Sequence, residues 1–311
     1  MKIGFNGAVK KAEEAVISIY DHGFLYGMGL FETFRTYGGR PYLLERHLQR
    51  LAEGCEQLGI RYTADQEALQ LLLAELLREN ELNEAYIRLT VSAGTGELGL
   101  QTGDYERPSE LLLMKALPPV SEALYRSGKE LRLLSTARNT PEGAVRLKSL
   151  HYMNNMIAKR ELAASGAAAN AEGLMLTADG KLAEGIVSNL FYAKNGKVYT
   201  PSVDTGILPG ITRAKVMELA LEAGFEVEEG HFRYGELLAA DEVWMTNSIQ
   251  ELVPITSISG CAVHGYDHDS ITAAGKSQPQ EVSQITVGDG AIGPITELLL
   301  QAYRSDTSSA S

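Results

Sequence analysis

The strongest chemical signal in the chain lies between Glu184 and Arg213. Asn195-Gly196 divides the first part of this stretch, and this dipeptide favours a tight hairpin with positive φ at both central residues. The last part passes from a glycine-flanked turn into the helical pattern Thr212–Ala223. Free amides at a helix start, reached through a glycine, form a ready anion site. A carboxylate, a hairpin and an anion site are therefore close together in sequence.

A second signal is the lysine in the segment Arg146-Leu-Lys-Ser-Leu-His-Tyr-Met-Asn-Asn. A lysine amine must be unprotonated to form a Schiff base, and a nearby cation lowers its pKa. Arg146 is the cation nearest in sequence to Lys148. On chemistry alone, a lysine at a strand-to-helix junction is usually a solvated surface group, so the surrounding pattern decides its interpretation.

Both segments resemble the class IV, fold-type IV pyridoxal-phosphate aminotransferases and lyases. The resemblance is carried by Glu184, Asn189-Leu-Phe, Val198-Tyr-Thr and Leu208-Pro-Gly-Ile-Thr-Arg, with the lysine segment upstream. It extends over nearly the whole chain to about Ile258. It implies a pyridoxal 5'-phosphate cofactor and a two-domain enzyme with the cofactor between the domains.

The resemblance also implies roles for individual residues. Lys148 would form the internal aldimine and act as the base. Glu184 would face the pyridine nitrogen and keep it protonated, Tyr152 would lie near the pyridine hydroxyl, and Asn189 would belong to the cofactor site. The phosphate would be held by an arginine from the His47-Leu-Gln-Arg-Leu helix, by amides and by hydroxyls: Arg50, Ile211, Thr212 and Ser248.

Within the family, the segment from Asp21 to Arg35 resembles the 4-amino-4-deoxychorismate lyases of Gram-positive bacteria. These enzymes convert 4-amino-4-deoxychorismate to 4-aminobenzoate and pyruvate in folate biosynthesis. Lyases tend to carry threonine at the position of Thr33, where branched-chain aminotransferases carry glycine and D-amino-acid aminotransferases valine. Thr33 would donate a proton to the leaving group, whereas Tyr26 and Arg88 would line the substrate side.

Two other interpretations stay open. One is an aminotransferase for D-amino acids or branched-chain amino acids. The segment Ser92-Ala-Gly-Thr-Gly-Glu lacks both the arginine of some lyases and the Arg-x-His of D-amino-acid aminotransferases, so carboxylate recognition is not settled. The other is a protein that binds the cofactor without turnover, and the joint presence of Lys148, Glu184 and Arg50 argues against it.

Composition limits the remaining choices. The net charge of −12 argues against nucleic-acid or anionic-membrane surfaces. Two cysteines, Cys55 and Cys261, form no disulfide framework and have no metal-ligand partner at useful spacing, so we expect a reducing compartment and no metal. The sequence has no signal-peptide core and no apolar run of membrane-spanning length. We expect a cytoplasmic enzyme acting on a small molecule and, by resemblance, a homodimer.

The pattern predicts a mixed α/β fold with a small N-terminal α/β domain (1–117), a linker (118–124) and a larger, β-rich C-terminal domain with helices (125–311). Residues 21–30 read as a glycine-punctuated loop. Residues 261–290 are rich in Gly, Ser, Gln and Asp and read as a mobile insertion. Helices are predicted at 43–59, 67–80, 152–164, 212–223 and 294–303, and hairpins at Asn6-Gly7 and Asn195-Gly196.

Overall fold

The computed structural model describes residues 1–119, 121–261 and 283–309. Its strands form two sheets, one drawn from residues 2–116 and the other from residues 129–286. Helices pack on both sheets, so the predicted mixed α/β architecture is confirmed. None of the helices in the described ranges combines the length and apolar content needed to cross a membrane.

The first sheet has the strand order β2-β1-β6-β5-β3-β4. Its strands are β1 (Lys2–Phe5), β2 (Ala8–Lys11), β3 (Gly29–Tyr37), β4 (Arg40–Pro41), β5 (Ala85–Ser92) and β6 (Ser109–Ala116), with helices α1 (His22–Tyr26), α2 (Leu44–Gln57) and α3 (Gln66–Glu79). Strand β5 alternates as predicted: Ile87, Leu89 and Val91 are buried in the core that includes α2 and α3. Arg88 therefore projects from the opposite face.

The second sheet has the order β12-β11-β10-β13-β14-β7-β8-β9, with β15 beside β14. Its strands are β7 (Lys129–Leu133), β8 (Glu172–Leu176), β9 (Leu182–Gly185), β10 (Asn189–Lys194), β11 (Lys197–Pro201), β12 (Val227–Gly230), β13 (Glu242–Asn247), β14 (Glu251–Cys261) and β15 (Ser283–Thr286). Strand β9, at the end of this order, also pairs with β10 through Glu184 and Asn189. The strands from β10 to β9 therefore close into a barrel.

Five helices cover this second sheet: α4 (Glu122–Ser127), α5 (Met153–Ala164), α6 (Ile211–Glu222), α7 (Tyr234–Leu238) and α8 (Pro294–Ser309), counted over the described ranges. Alternate residues of β10 pack on opposite faces. Leu190 lies in a core with α7, whereas Phe191 lies in a core with α6 and α8. The predicted docking of the last helix is confirmed, and that helix is longer than predicted.

Both predicted hairpins are present, and Asn6, Gly7, Asn195 and Gly196 all have positive φ. The interpretation of residues 21–30 as a loop is wrong in part, because His22–Tyr26 forms α1. The Asp21 side chain accepts hydrogen bonds from the amides of the first turn, and Gly27 ends the helix with a left-handed φ of 71°.

Two further expectations need correction. Helix α4 begins inside the predicted linker 118–124 and was not anticipated. The predicted insertion at 261–290 is wrong in its last part, because Ser283–Thr286 forms β15 and pairs with β14. The half-buried Ile285 packs against the barrel core and supplies the apolar contact that this strand needs. Residues 262–282 of that prediction lie outside the described residues.

Candidate active site

The two sheets enclose a cavity of about 420 Å³ that brings together most of the predicted site residues. The first sheet lines it with Phe31, Thr33, Tyr86, Arg88 and Lys115. The second part of the chain lines it with the predicted residues Lys148, Tyr152, Glu184, Asn189, Ile211, Thr212 and Ser248, and Arg50 reaches it from α2. Tyr26 is not among the lining residues.

Backbone pairing with β3 places Lys148 at the cavity wall. The amide of Phe31 donates to the carbonyl of Lys148 at 2.9 Å, and the amide of Leu150 donates to the carbonyl of Gly29 at 3.0 Å. The Lys148 amine then lies 4.8 Å from the centre of the Phe31 ring. Because side chains alternate along a strand, Thr33 shares the face of Phe31 and projects toward the same space.

The surroundings of Lys148 favour its neutral amine. Burial lowers the pKa of Lys148 from 10.5 to about 8, and the nearby positive charges of Arg50 and Arg88 act in the same direction, against Glu32 and Glu184. Arg146, the cation nearest to Lys148 in sequence, is not among these charges. Arg146 instead donates to the carbonyl of Gly206 and to Asn139, and it therefore joins two loops beside the cavity.

This lowered pKa leads to a pH prediction. The rate at which the cofactor-free chain reacts with pyridoxal phosphate is expected to rise with pH, to reach half of its maximum near pH 8 and to level off at higher pH, because only the neutral amine is nucleophilic. An unshifted lysine would place the midpoint near 10.5. Stopped-flow absorbance checks this, with Lys148→Ala as the control that lacks the reaction. A midpoint near that of free lysine would contradict the assignment.

Glu32, His47 and Arg50 form a buried network beside Lys148. Arg50 donates two hydrogen bonds to the Glu32 carboxylate, Nε at 2.8 Å and Nη2 at 2.6 Å, and His47 Nδ1 donates to it at 2.6 Å. Arg50 Nη1 also donates to the carbonyl of Pro209 at 2.7 Å. Arg50 is therefore fixed by α2 and β3 in front of the turn that leads into α6.

The sequence interpretation missed Glu32 and His47. Glu32 lies between Phe31 and Thr33, so the strand period turns it to the other face, toward α2. The available signal was a carboxylate on the core face of a strand, because a buried carboxylate needs a charged or hydrogen-bonding partner. His47 and Arg50, one helical turn apart on the neighbouring helix, are such partners. Using this signal requires knowing that this helix packs on this strand.

Glu32→Gln is expected to lower the free energy of unfolding by about 3 kcal/mol at neutral pH, because His47 and Arg50 lose a buried partner. Burial alone would raise the pKa of Glu32, but Arg50 and His47 outweigh it and lower the pKa from 4.5 to about 2. A carboxyl whose pKa falls on folding adds stability above its unfolded pKa. The contribution is therefore present above about pH 4.5 and is lost as the pH falls toward 2.

Urea denaturation at several pH values measures this loss. Glu56→Gln is the matched control, because Glu56 is exposed on the same helix. Equal stability of the two variants at neutral pH would contradict the assigned role of the Glu32 network.

Glu184 lies where the barrel closes and is almost completely buried. Its carboxylate accepts hydrogen bonds from Arg138 Nε at 2.8 Å, from the amide of Leu208 at 3.0 Å and from Asn189 Nδ2 at 3.2 Å. Arg138 also donates to Asn154 Oδ1 at 2.8 Å. Arg138 is a site residue that the sequence interpretation missed, since 46 residues separate it from its partner. The network fixes the direction of one carboxylate at the cavity wall.

The start of α6 lines the same cavity and offers hydrogen-bond donors to an anion. Within the described residues no side chain caps this helix, so the amides of its first turn have no side-chain acceptor. The Thr212 and Ser248 hydroxyls lie 3.2 Å apart beside it. Gly210 is required here, because a Cβ would collide with Asn189 Oδ1. Helix amides and two hydroxyls fit a phosphate group.

Tyr152 and Tyr26 have different positions. Tyr152 lines the cavity, with its ring edge-on to Phe31 at 5.5 Å. The structure does not bring Tyr26, which was predicted to line the substrate side, into this cavity. Helix α1 carries Tyr26 away, so that its hydroxyl accepts a hydrogen bond from Gly99 at 2.9 Å and its ring packs on His22. His151, a lining residue that was missed, donates to the carbonyl of Tyr26 at 2.8 Å.

Arg88 is a cation at the cavity wall. It lies opposite Thr33 in the pairing of β3 with β5, and its guanidinium lies 3.5 Å from the centre of the Phe31 ring. Among the residues that the structure describes, no carboxylate forms an ion pair with it. Burial lowers the pKa of Arg88, so its charge is incompletely solvated. The Arg88 guanidinium could therefore pair with an anionic group that binds in the cavity.

This geometry agrees with the outcome of comparisons with known proteins. The family model described as amino-transferase class IV matches residues 29–258. The chain belongs to the class IV aminotransferase family. The cavity fits the family's cofactor, pyridoxal phosphate, because it combines an amine with a lowered pKa, a buried carboxylate and an uncapped helix start. The prediction of this cofactor is confirmed, as is the fold-type IV architecture.

Individual relatives include lyases and aminotransferases. An aminodeoxychorismate lyase of Bacillus subtilis (strain 168) is 46% identical over 255 residues, covering 81% of this chain and 85% of the relative. The crystal structure of a 4-amino-4-deoxychorismate lyase from Pseudomonas aeruginosa is 28% identical, with a TM-score of 0.78 and coverage of 98% of both chains. A T.th. branched-chain amino acid aminotransferase, solved with pyridoxamine 5'-phosphate, is 26% identical, with a TM-score of 0.81 and coverage of 100% of this chain and 95% of that one.

Proposed function

We propose that this protein is a pyridoxal-phosphate-dependent lyase that converts 4-amino-4-deoxychorismate to 4-aminobenzoate and pyruvate, a step of folate biosynthesis. The observation that carries the proposal is the shared wall of the cavity. Lys148 and Arg88 both contact the Phe31 ring, and Thr33 lies beside it on the same strand face. A base, a proton donor and a cation therefore surround one space. The 46% identity to the B. subtilis lyase supports the same reaction.

Bound pyridoxal phosphate supplies an electron-withdrawing ring that accepts the electron pair left when the C–H bond beside the substrate amine breaks. Glu184, held by Arg138 and Asn189, is proposed to pair with the pyridine nitrogen. Tyr152 is assigned to the pyridine hydroxyl. The phosphate is assigned to the start of α6, where the groups available to it are Arg50, the amide of Ile211, and the hydroxyls of Thr212 and Ser248.

Lys148 would hold the cofactor covalently and, once the substrate amine has taken its place there, its released amine would act as the general base. Its neutral amine takes the proton from the substrate carbon that bears the amine. The C–O bond between the six-membered ring of the substrate and its enolpyruvyl group then breaks, and the substrate ring becomes aromatic. The Thr33 hydroxyl donates a proton to the departing enolpyruvate. The two products contain all the atoms of the substrate, so the reaction needs no oxidant and consumes no water. Arg88 is proposed to bind one of the two substrate carboxylates.

The alternative is an aminotransferase for D-amino acids or branched-chain amino acids. Steady-state rates with 4-amino-4-deoxychorismate, and with D-alanine or leucine plus 2-oxoglutarate, distinguish the two. We expect the value of kcat/KM for the chorismate derivative to exceed both amino-acid values by at least about 10³, because Thr33 is proposed to protonate an enolpyruvyl leaving group that the amino acids lack. Faster amino-group transfer to 2-oxoglutarate would favour the alternative.

We further propose a homodimer. On α5, Met153, Met156 and Ile157 share one helical face and expose more than half of their surface. The first residue of this face, Met153, directly follows the cavity-lining Tyr152 in the chain. Val187, which also lines the cavity, is 54% exposed. Exposed apolar surface that adjoins a binding cavity is typical of a subunit interface.

The dimer leads to a prediction about mass. The chain is expected to sediment at twice its mass of 33.7 kDa, and Ile157→Asp to shift it toward the monomer, because a carboxylate would be desolvated in the interface. Analytical ultracentrifugation measures both. Leu221→Asp is the control, since Leu221 is equally exposed on α6. A wild-type monomer, or equal effects of both changes, would contradict this interface.

The two domains are proposed to comprise residues 1–117 and 125–311, with residues 118–124 between them. The substrate is a small molecule, and the net charge of −12 supports the absence of nucleic acid and anionic membrane among the partners. Its low cysteine content supports a cytoplasmic location.

A further inference from the structure

The hairpin that carries Ser248 into the cavity ends in a residue that is not glycine but has a left-handed backbone conformation. Strands β13 and β14 pair up to Asn247 and Glu251, which leaves three residues, 248–250, in the turn. Such turns favour a left-handed residue at their end, most often glycine. Here Glu251 has a φ of 63°. An unfavourable φ at a residue with a long side chain suggests that interactions of the side chain maintain this conformation.

The Glu251 carboxylate is buried and joins three separate parts of the chain. Tyr37, at the end of β3, donates to Oε1 at 2.7 Å. Arg304, on α8, donates to Oε2 at 2.9 Å. Arg35, also on β3, lies 3.8 Å from Oε1. One carboxylate from the barrel therefore ties the first sheet and the last helix to the start of β14.

Arg35, together with Tyr125 and Asn247, fixes the backbone of the turn itself. Arg35 donates to the carbonyl of Ile249 at 3.2 Å, and Tyr125 donates to the carbonyl of Gln250 at 3.2 Å. Arg304 stacks over the Tyr125 ring at 4.2 Å. The Asn247 side chain accepts from the amides of Ile249 and Gln250. Within the described residues, this turn is held on both sides, and its remaining member, Ser248, faces Thr212.

We infer that Glu251 is a positioning residue for cofactor phosphate: it holds turn 248–250 so that Ser248 lies against the first turn of α6. The inference rests on the phosphate site proposed above. Glu251 does not line the cavity, so it acts only through its neighbours. Loss of its negative charge weakens the contacts with Arg35, Tyr37 and Arg304 together. The turn is then held to β3 only by the bond from Arg35 to the Ile249 carbonyl, among the contacts described above.

The test compares two ligands that differ only in the phosphate. Full-length chain stripped of cofactor is titrated with pyridoxal 5'-phosphate and with pyridoxal, and the ratio of the two dissociation constants is the readout. In Glu251→Gln, the preference for the phosphorylated ligand is expected to fall about tenfold or more, comparable to the loss of outer-shell partners at other ligand sites. Affinity for pyridoxal should stay within about twofold, whereas general damage to the fold would weaken both ligands.

Tyr37→Phe repeats the test with the loss of a single donor to the same carboxylate, and it should lower the ratio in the same direction by a smaller factor. Glu218→Gln is the matched control. It removes the Arg46–Glu218 ion pair, which also joins the two parts of the chain but does not touch the turn. An unchanged ratio in Glu251→Gln and Tyr37→Phe would overturn the inference. Equal affinity of the wild-type chain for both ligands would instead overturn the phosphate site and the inference with it.

Discussion

Replacing Lys148 by alanine is expected to lower kcat for 4-aminobenzoate formation by at least about 10⁴-fold. The change removes the proposed attachment point of the cofactor and the proposed general base together, and general base catalysis alone contributes about 10²–10⁴. Of the other groups on this sheet face, Arg88 remains protonated and Thr33 is a poor base. The Lys115 amine lies over the Tyr86 ring, 4.7 Å from its centre, and not over Phe31 as Lys148 does. Fluorescence of 4-aminobenzoate under saturating substrate measures the loss.

The cofactor's absorbance separates this effect from loss of binding. Lys148→Ala should still bind pyridoxal phosphate through Glu184 and the start of α6, but without the visible band of covalently attached cofactor. Lys194→Ala is the control, since Lys194 lies at the end of β10 away from the cavity. Retention of the visible band and of turnover in Lys148→Ala would contradict the assignment. If the protein only bound the cofactor without catalysis, the wild-type chain would form no 4-aminobenzoate and Lys148→Ala would cause no loss of turnover.

Thr33→Val is expected to lower kcat by about 10²-fold while KM changes by less than about threefold. Valine keeps the branched shape of threonine on β3 and removes only the hydroxyl, so the proposed proton donor is lost with little change in packing. If Thr33 donates to the departing enolpyruvate, the loss falls on the chemical step. Steady-state kinetics of pyruvate release give both constants.

Two matched variants test the origin of that effect. Thr33→Ser keeps a hydroxyl and should retain most of the activity. Thr90→Val makes the same change on neighbouring β5, where Thr90 pairs with Phe31 in register but does not line the cavity. It should leave kcat unchanged. A Thr33→Val enzyme with full kcat, or one no slower than Thr90→Val, would remove Thr33 from the mechanism.

Local patterns in the sequence were sufficient to predict several of the elements that are proposed to hold the cofactor. The hairpin at Asn195-Gly196 follows from the φ values that only a few residues tolerate, and the start of α6 follows from a glycine followed by helical periodicity. Strand β5 follows from strict alternation, which also gave the direction of Arg88. These signals depend on neighbours in the chain and can be read without a fold.

The partners of the charged groups could not be predicted in this way. The pairing of Arg138 with Glu184 and that of Arg304 with Glu251 depend on barrel closure and on where the last helix docks. Arg146 is close to Lys148 in sequence, yet Arg50 and Arg88 are the cations that affect its pKa. Sequence distance was a poor guide, because a strand and a loop aim adjacent side chains in different directions.

The direction of the Tyr26 side chain also could not be predicted, because the short helix that carries it was interpreted as a loop. The glycines at positions 23 and 27 suggested a loop, since glycine is unfavourable within helices. The stronger signals were the Asp21 cap and the left-handed Gly27, which define a single turn of helix between them. That turn directs Tyr26 to Gly99 rather than to the cavity.

The central claim is tested most directly by supplying the purified, cofactor-loaded protein with 4-amino-4-deoxychorismate in the absence of any keto acid. The proposed lyase forms 4-aminobenzoate and pyruvate in equal amounts over many turnovers, and Lys148→Ala forms neither above the uncatalysed rate. Protein that shows the visible band of attached cofactor but yields no 4-aminobenzoate above that rate would contradict the lyase assignment.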